Sequence, residues 1–179
     1  MSKIAVIYKS EYGSTKKYAE WIAEELDGDL IENVKIRAED LENYDIIVYG
    51  GGLYAGGING ISLINKEFDK LKDKSLIVFT VGLIKTNNTE IFKPIIEKNC
   101  SKEAIEKIKF FHFLGDLNYK KLKIMHKIMI AALKSVIFKK KKEELTEEDR
   151  LFMETYGDDV VYTDKNSISP LIDYVNSLL

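Results

Sequence analysis

The chain has 179 residues, of which 45% are hydrophobic and 31% charged, and its formal net charge is −2. This length suits one domain, and the balance excludes a disordered chain. Two prolines, eleven glycines and a single cysteine exclude collagen-like, low-complexity and disulfide-rich classes. No apolar run reaches the roughly 18 residues of a membrane-spanning helix. We expect a cytoplasmic protein, because one cysteine suits a reducing compartment and the first apolar run already ends at Lys9.

Short apolar runs alternate with helical patterns along the chain. Five segments rich in apolar residues are predicted strands: residues 4–8, 30–34, 44–49, 75–81 and 108–114. Residues 30–34 are the weaker strand, and a continuous apolar run such as residues 4–8 is typical of a strand buried on both faces. Apolar residues recur at helical spacing in four segments: residues 15–26, 61–71, 91–100 and 170–178. The alternation predicts one α/β domain over residues 1–179, in which helices cover both faces of a five-stranded parallel sheet.

An insert of about forty residues, 116–159, separates the fifth predicted strand from the last helix. Between Tyr119 and Lys142 there are nine lysines and no acid, whereas residues 143–159 contain eight acids and one arginine. The lysine-rich half also carries an apolar stripe at helical spacing, formed by Leu122, Met125, Met129, Ala132 and Val136. Three roles stay open for this stripe: packing on the chain's own sheet, packing on a second subunit, or peripheral contact with the inner face of an anionic membrane.

The loop after the first strand has the composition of a phosphate site. Residues 10–15 (SEYGST) contain three serine or threonine hydroxyls, one tyrosine and one glycine. The first predicted helix begins directly behind them. Hydroxyls and backbone N–H groups that converge at a helix start bind phosphate. The alternative is that Ser14 or Thr15 simply caps the helix. No lysine of the Gly-Lys-Ser/Thr type is present, so a nucleoside triphosphate with Mg²⁺ is not expected.

Two further loops follow strands whose carboxyl ends meet at the same edge of the sheet. Residues 50–57 are rich in glycine, which lets backbone approach a ligand closely, and Leu53 and Tyr54 could form the wall for a flat ring. The alternative is that residues 50–57 are only a flexible connection without a ligand. Residues 80–83 contain Gly82 and form the third loop.

Residues 10–15 resemble the FMN-phosphate loop of flavodoxins, with the same distance from the N-terminus. The resemblance implies a flavodoxin-like three-layer sandwich with strand order 2-1-3-4-5 and FMN bound at the strand ends. It implies that the first loop holds the phosphate: Ser10, Glu11, Tyr12, Gly13, Ser14 and Thr15. It implies that two other segments flank the isoalloxazine ring: Leu53, Tyr54, Ala55, Gly56 and Gly57, and Thr80, Val81, Gly82 and Leu83. A bulky residue in place of Gly13 is expected to crowd the loop and abolish FMN binding.

The C-terminal part resembles the flavodoxin-like menaquinone-dependent protoporphyrinogen oxidases. The likeness rests on residues 115–122 (GDLNYKKL), the Met-rich basic helix and residues 159–164 (DVVYTD). It implies an insert near the flavin that serves a large apolar or membrane-borne substrate. This chain departs from the pattern because Arg37 and Arg150 are its only arginines and residues 142–152 are unusually acidic. Arginine would be the natural partner of porphyrin propionates.

The remaining reactive side chains predict no separate site. His112, His126 and Cys100 are far apart in the chain, so we expect no metal centre, and no residue is assigned as catalytic. The hypothesis is an FMN-dependent oxidoreductase that exchanges electrons with a redox partner or a small molecule such as a quinone. The alternatives are a non-enzymatic flavodoxin carrier and a module without cofactor. A homodimer stays open, and we expect no nucleic-acid partner.

Overall fold

The computed structural model describes residues 2–84 and 89–179, and its centre is a parallel β-sheet. The strands are β1 (Ile4–Lys9), β2 (Asp29–Glu32), β3 (Ile46–Tyr54), β4 (Gly57–Ile58), β5 (Ser75–Gly82) and β6 (Ile108–Leu114). The parallel strands are ordered β2-β1-β3-β5-β6, and the two-residue β4 pairs antiparallel with the end of β3. The five long strands therefore follow the predicted 2-1-3-4-5 order, and the predicted flavodoxin-like α/β fold is confirmed.

Helices cover both faces of the sheet, because each central strand is apolar on both sides. The helices are α1 (Ser14–Leu26), α2 (Ser62–Leu71), α3 (Lys93–Asn99), α4 (Lys102–Lys107), α5 (Ile124–Phe138), α6 (Glu147–Thr155) and α7 (Ser169–Asn176). Successive residues of β1 point to opposite cores: Val6 packs in the cluster with α1 and α7, whereas Ala5 and Ile7 pack in the cluster with α2. These two apolar layers hold the sheet between the helices.

The glycine-rich segment is mostly strand, and its prediction as a loop over residues 50–54 is wrong. A Cβ at Gly50 would collide with the Phe79 ring, and a Cβ at Gly51 would lie 2.7 Å from the Asn59 carbonyl oxygen. These glycines therefore make room for the protein's own core. The chain turns only at Ala55 and Gly56, whose φ angles are 50° and 72°.

The insert is closed at its base by contacts between its two ends. Leu117 and Val160 form an antiparallel bridge, with both N–H···O distances at 2.8 Å. The Asp116 carboxylate accepts hydrogen bonds from the backbone N–H groups of Tyr162 and Thr163, each at 2.8 Å. These bonds place the start of α5 beside the ends of β1 and β6.

Within residues 2–84 and 89–179, none of the helices has both the length and the apolar character required to cross a bilayer.

Candidate functional site

One cavity lies at the carboxyl ends of the central strands and beneath α5. It has a volume of about 150 Å³ and is open to solvent on one side. The loops after β1, β3, β5 and β6 form three sides, and the inner face of α5 forms the cover. Its lining is mostly apolar or aromatic, with hydroxyls at one end: Ser10, Tyr12, Ser14, Thr15, Leu53, Tyr54, Ala55, Val81, Gly82, Leu83, Gly115, Asp116, Leu117, Leu122, His126, Met129 and Ile130.

The polar end of the cavity is the N-terminus of α1. Gly13 is the N-cap residue, with φ 103°, and no side chain caps this helix. The alternative in which Ser14 or Thr15 serves as the cap is therefore wrong. The Ser10 hydroxyl accepts the Gly13 N–H at 3.0 Å, which shapes the turn. The uncapped first turn leaves backbone N–H groups and the positive end of the helix dipole available to an anion.

Two hydroxyls of α1 have different surroundings at this end. Ser14 Oγ accepts the Asp116 N–H at 2.9 Å, so Ser14 ties α1 to the base of the insert. Thr15 is only 2% exposed and lines the cavity, and within the described ranges its hydroxyl makes no hydrogen bond. Among the described residues no fully buried side-chain oxygen lacks a partner, so the Thr15 hydroxyl keeps access to the cavity and is placed to contact a ligand there.

The opposite end of the cavity has apolar and aromatic walls. Leu53 and Ala55 line one side, and Val81, Gly82 and Leu83 line the other. Tyr54 lies between them, and its burial, with a smaller contribution from the Glu11 carboxylate, raises the pKa of its phenol far above the ordinary value. This end therefore presents neutral, flat surfaces.

The insert contacts this end of the cavity through His126. The His126 ring stacks on Tyr54, with centroids 4.9 Å apart and planes 5° apart. Its Nδ1 lies 2.5 Å from the Tyr12 hydroxyl, which also accepts the Lys123 N–H at 3.1 Å. The Lys123 ammonium forms an ion pair with Glu11, and this contact raises the pKa of Lys123. These contacts join α5 to the loop after β1 and hold it over the cavity.

Ten of the fifteen residues predicted for the cofactor site line this cavity. The other five lie near it or on another side of the sheet: Glu11, Gly13, Gly56, Gly57 and Thr80. Thr80 is buried on another side, where its hydroxyl lies 2.9 Å from His112 Nδ1. Gly56 is held outside the cavity, since its carbonyl accepts a hydrogen bond from the Asn99 side chain. The assignment of all fifteen to FMN stays a prediction.

Seven lining residues were not among the sequence predictions. Gly115, Asp116 and Leu117 follow β6, and the rule applied to the other strand ends would have found them. The sequence indicates less clearly that four insert residues line the cavity: Leu122, His126, Met129 and Ile130. The predicted apolar stripe does not identify them, because its Met125, Ala132 and Val136 are exposed in the structure.

His112, unlike His126, does not line the cavity. Its ring packs against Phe92, with centroids 4.0 Å apart, and Nε2 lies 3.3 Å from the Ile84 carbonyl oxygen. Burial lowers the pKa of His112 to about 4, although the contact with the Ile84 carbonyl partly opposes this shift. The ring is therefore neutral at pH 7 and serves as part of the core.

The fold and the cavity define a doubly wound α/β protein that offers a ligand site at the carboxyl ends of its strands. The flavodoxin domain family matches residues 5–146 of this chain. The chain belongs to that family, and membership implies a flavin cofactor.

The chain is also similar to one curated relative and to several solved structures. The uncharacterized protein MJ0298 of Methanocaldococcus jannaschii is 30% identical over 118 residues, which are 64% of this chain and 72% of that protein. A flavodoxin from the domain Archaea has 15% identity and a TM-score of 0.43, covering 75% of this chain and 98% of its own. The Trp repressor binding protein from Bacillus subtilis has 20% identity and a TM-score of 0.47, covering 65% and 88%.

Proposed function

We propose that this protein is an FMN-dependent oxidoreductase whose insert forms part of the chamber around the flavin ring. One observation carries the proposal: a single cavity is lined by hydroxyls at the uncapped N-terminus of α1 and by apolar and aromatic side chains. A helix N-terminus attracts phosphate, and flat apolar walls suit an aromatic ring. FMN combines these two groups in one molecule.

The chain's residues fit the two ends of FMN. The hydroxyls of Ser10 and Thr15, with the first-turn N–H groups of α1, would hold the phosphate. Residues 53–55 and 81–83 would flank the ring, and α5 would limit the access of water. When bound, FMN supplies transfer of one or two electrons. The contribution of the protein is then to position the cofactor and to select what reaches it.

Replacement of Thr15 by valine tests the phosphate assignment. Valine keeps the shape of the buried side chain but removes its hydroxyl, so we expect the affinity for FMN to fall about tenfold or more. Riboflavin lacks the phosphate and should bind to both proteins equally. Flavin fluorescence titrations measure both affinities. Equal losses for the two flavins, or no loss for FMN, would contradict the assignment, and wild-type protein that does not bind added FMN would overturn the proposal itself.

Quinone-linked oxidation of protoporphyrinogen is a more specific version of the proposal. It is supported by the resemblance of residues 115–122 and 159–164 and by the apolar side chains that α5 contributes to the cavity. The chain's two arginines, Arg37 and Arg150, do not line the cavity, which argues against porphyrin propionates as ligands. Steady-state oxidation of protoporphyrinogen with a menaquinone analogue tests this version. Turnover no faster than that of free FMN would rule it out.

A non-enzymatic electron carrier is the second candidate, because flavodoxins occur among the similar structures. Carriers that dock basic partners use acidic surfaces, and the nine lysines of residues 119–142 argue against such docking. Rapid electron exchange with a redox protein, without turnover of any small-molecule substrate, would favour the carrier.

A further inference from the structure

The outer face of α5 is an exposed apolar surface. Six large side chains form this α5 outer face, with exposed fractions between 49% and 78%: Ile124, Met125, Ile128, Leu133, Val136 and Phe138. Ala131 and Ala132 are exposed between them. His126, Met129 and Ile130, in contrast, line the cavity, and Ile137 is buried. The helix is therefore apolar on both sides, and only its inner side has a partner among the described residues.

This surface differs from the isolated apolar residues that most protein surfaces show. Six large side chains are concentrated on one helix of 15 residues. Contiguous exposed apolar patches mark sites where a protein contacts another surface. The α5 outer face is thus a candidate interaction surface, and its surrounding charges indicate what kind.

Lysines surround the α5 outer face at both ends. Lys120, Lys121 and Lys123 precede the helix, and residues 139–142 are four consecutive lysines after it. Among the described side chains, five of these lysines form no ion pair with an acid: Lys120, Lys121, Lys139, Lys141 and Lys142. Their ammonium groups are free to meet negative charges on an opposing surface.

The lysines in the middle of α5 are placed differently. Lys127 lies over the Tyr119 ring at 5.8 Å, and Lys134 lies over the Tyr156 ring at 3.8 Å. Both ammonium groups therefore contact rings of the insert itself. The centre of the α5 outer face is left apolar, with cationic groups at its ends, which is the arrangement of a helix that lies in a lipid headgroup region.

We propose that the α5 outer face binds the surface of an anionic lipid bilayer. With 15 residues, α5 is about 22 Å long, so it would lie along the interface with its apolar side chains among the acyl chains. The lysines at both ends would contact lipid phosphates. A symmetric dimer through the same face is disfavoured, because it would bring together two sets of nine lysines with no acid in either segment.

Vesicle sedimentation with the full chain tests this proposal independently of any flavin. We expect the protein to sediment with phosphatidylcholine vesicles that contain phosphatidylglycerol, and to be released by salt. A triple variant, Ile124→Ser, Ile128→Ser and Val136→Ser, changes only outward-facing residues of α5. Its apparent affinity for these vesicles should fall about tenfold or more, because three apolar side chains no longer enter the bilayer.

A matched control uses exposed apolar residues on the opposite edge of the sheet. Leu30 is 42% exposed and Val34 is 66% exposed, and both lie at β2, the strand farthest from β6. The double variant Leu30→Ser and Val34→Ser should sediment like the wild type. Circular dichroism and chemical denaturation of each variant check that it is folded.

A second variant set tests the role of charge. Replacement of Lys120, Lys121, Lys139 and Lys142 by glutamine should reduce sedimentation with anionic vesicles and weaken its dependence on salt. Wild-type protein that stays in the supernatant, or that sediments equally with neutral vesicles, would overturn the proposal. A wild-type dimer in light scattering that the triple apolar variant converts to monomer would also overturn it, because the face would then bind a second copy.

Discussion

At the scale of single residues, Gly13 determines the shape of the cavity wall at the start of α1. Its φ of 103° lies in a region that L-residues rarely adopt, and the turn it forms directs the uncapped start of α1 at the cavity. A Cβ at this position would meet no atom within 4 Å. The reason for glycine at position 13 is therefore backbone conformation and not contact of a Cβ with other protein atoms. That a bulkier residue crowds the loop and abolishes FMN binding stays a prediction.

The variant Gly13→Ala should bind FMN about tenfold more weakly, because alanine in this conformation costs about 1–2 kcal/mol. Isothermal titration calorimetry measures the change. Gly157→Ala is a matched control, since Gly157 has φ 90° and also has open space around its Cβ position, but it lies outside the cavity. Both variants should lose similar stability, and only Gly13→Ala should lose affinity. A similar loss of affinity in both would contradict the role of Gly13.

At the scale of elements, α5 is the part that makes this cavity different from an open strand-end crevice. Its contact with Tyr12 and Tyr54 runs through His126, more than a hundred positions from Tyr12 in the chain. Tyr54 is also the natural stacking surface for a flat ring. His126 already stacks on one face of Tyr54, so a ring that stacked on that same face would displace α5.

The variant His126→Ala should speed the exchange of FMN about fivefold. Loss of the stacked pair removes about 1 kcal/mol of contact between α5 and the loops, and a more open cavity admits and releases the ligand faster. Stopped-flow fluorescence measures association and dissociation. Ile128→Ala, on the exposed side of the same helix, should leave both rates unchanged. Unchanged exchange in His126→Ala would show that α5 does not limit access.

At the scale of the whole molecule, stability depends on the two apolar layers beside the sheet. His112 lies on β6 at the edge of the sheet, partly buried beside Thr80 and Phe92. Its pKa is about 4 in the folded protein, whereas an unfolded histidine titrates near 6.5. Between these values the unfolded chain binds a proton that the folded chain does not. Protonation therefore favours unfolding as the pH falls.

The free energy of unfolding should accordingly decrease between pH 6.5 and pH 4, with a contribution from His112 of up to about 3 kcal/mol. Urea denaturation at a series of pH values measures it. His112→Gln lacks the titrating group, so its stability should fall less steeply over this interval, although its stability at pH 7 is expected to be lower. An equally steep fall in the variant would show that other groups cause the pH dependence.

The sequence alone predicted the strands of the sheet from local apolar runs, and its resemblance to flavodoxins supplied the strand order, which the structure confirms. The phosphate site at the start of α1 stays a prediction. It did not determine that Gly50 and Gly51 are strand residues, since their reason is the close approach of Phe79 and Asn59. It also left open which surface α5 covers. Apolar periodicity predicted a helix but not its buried side, since Met125 and Val136 of the predicted stripe are exposed. Only long-range contacts, such as the stacking of His126 on Tyr54, decide which side of α5 packs on the protein.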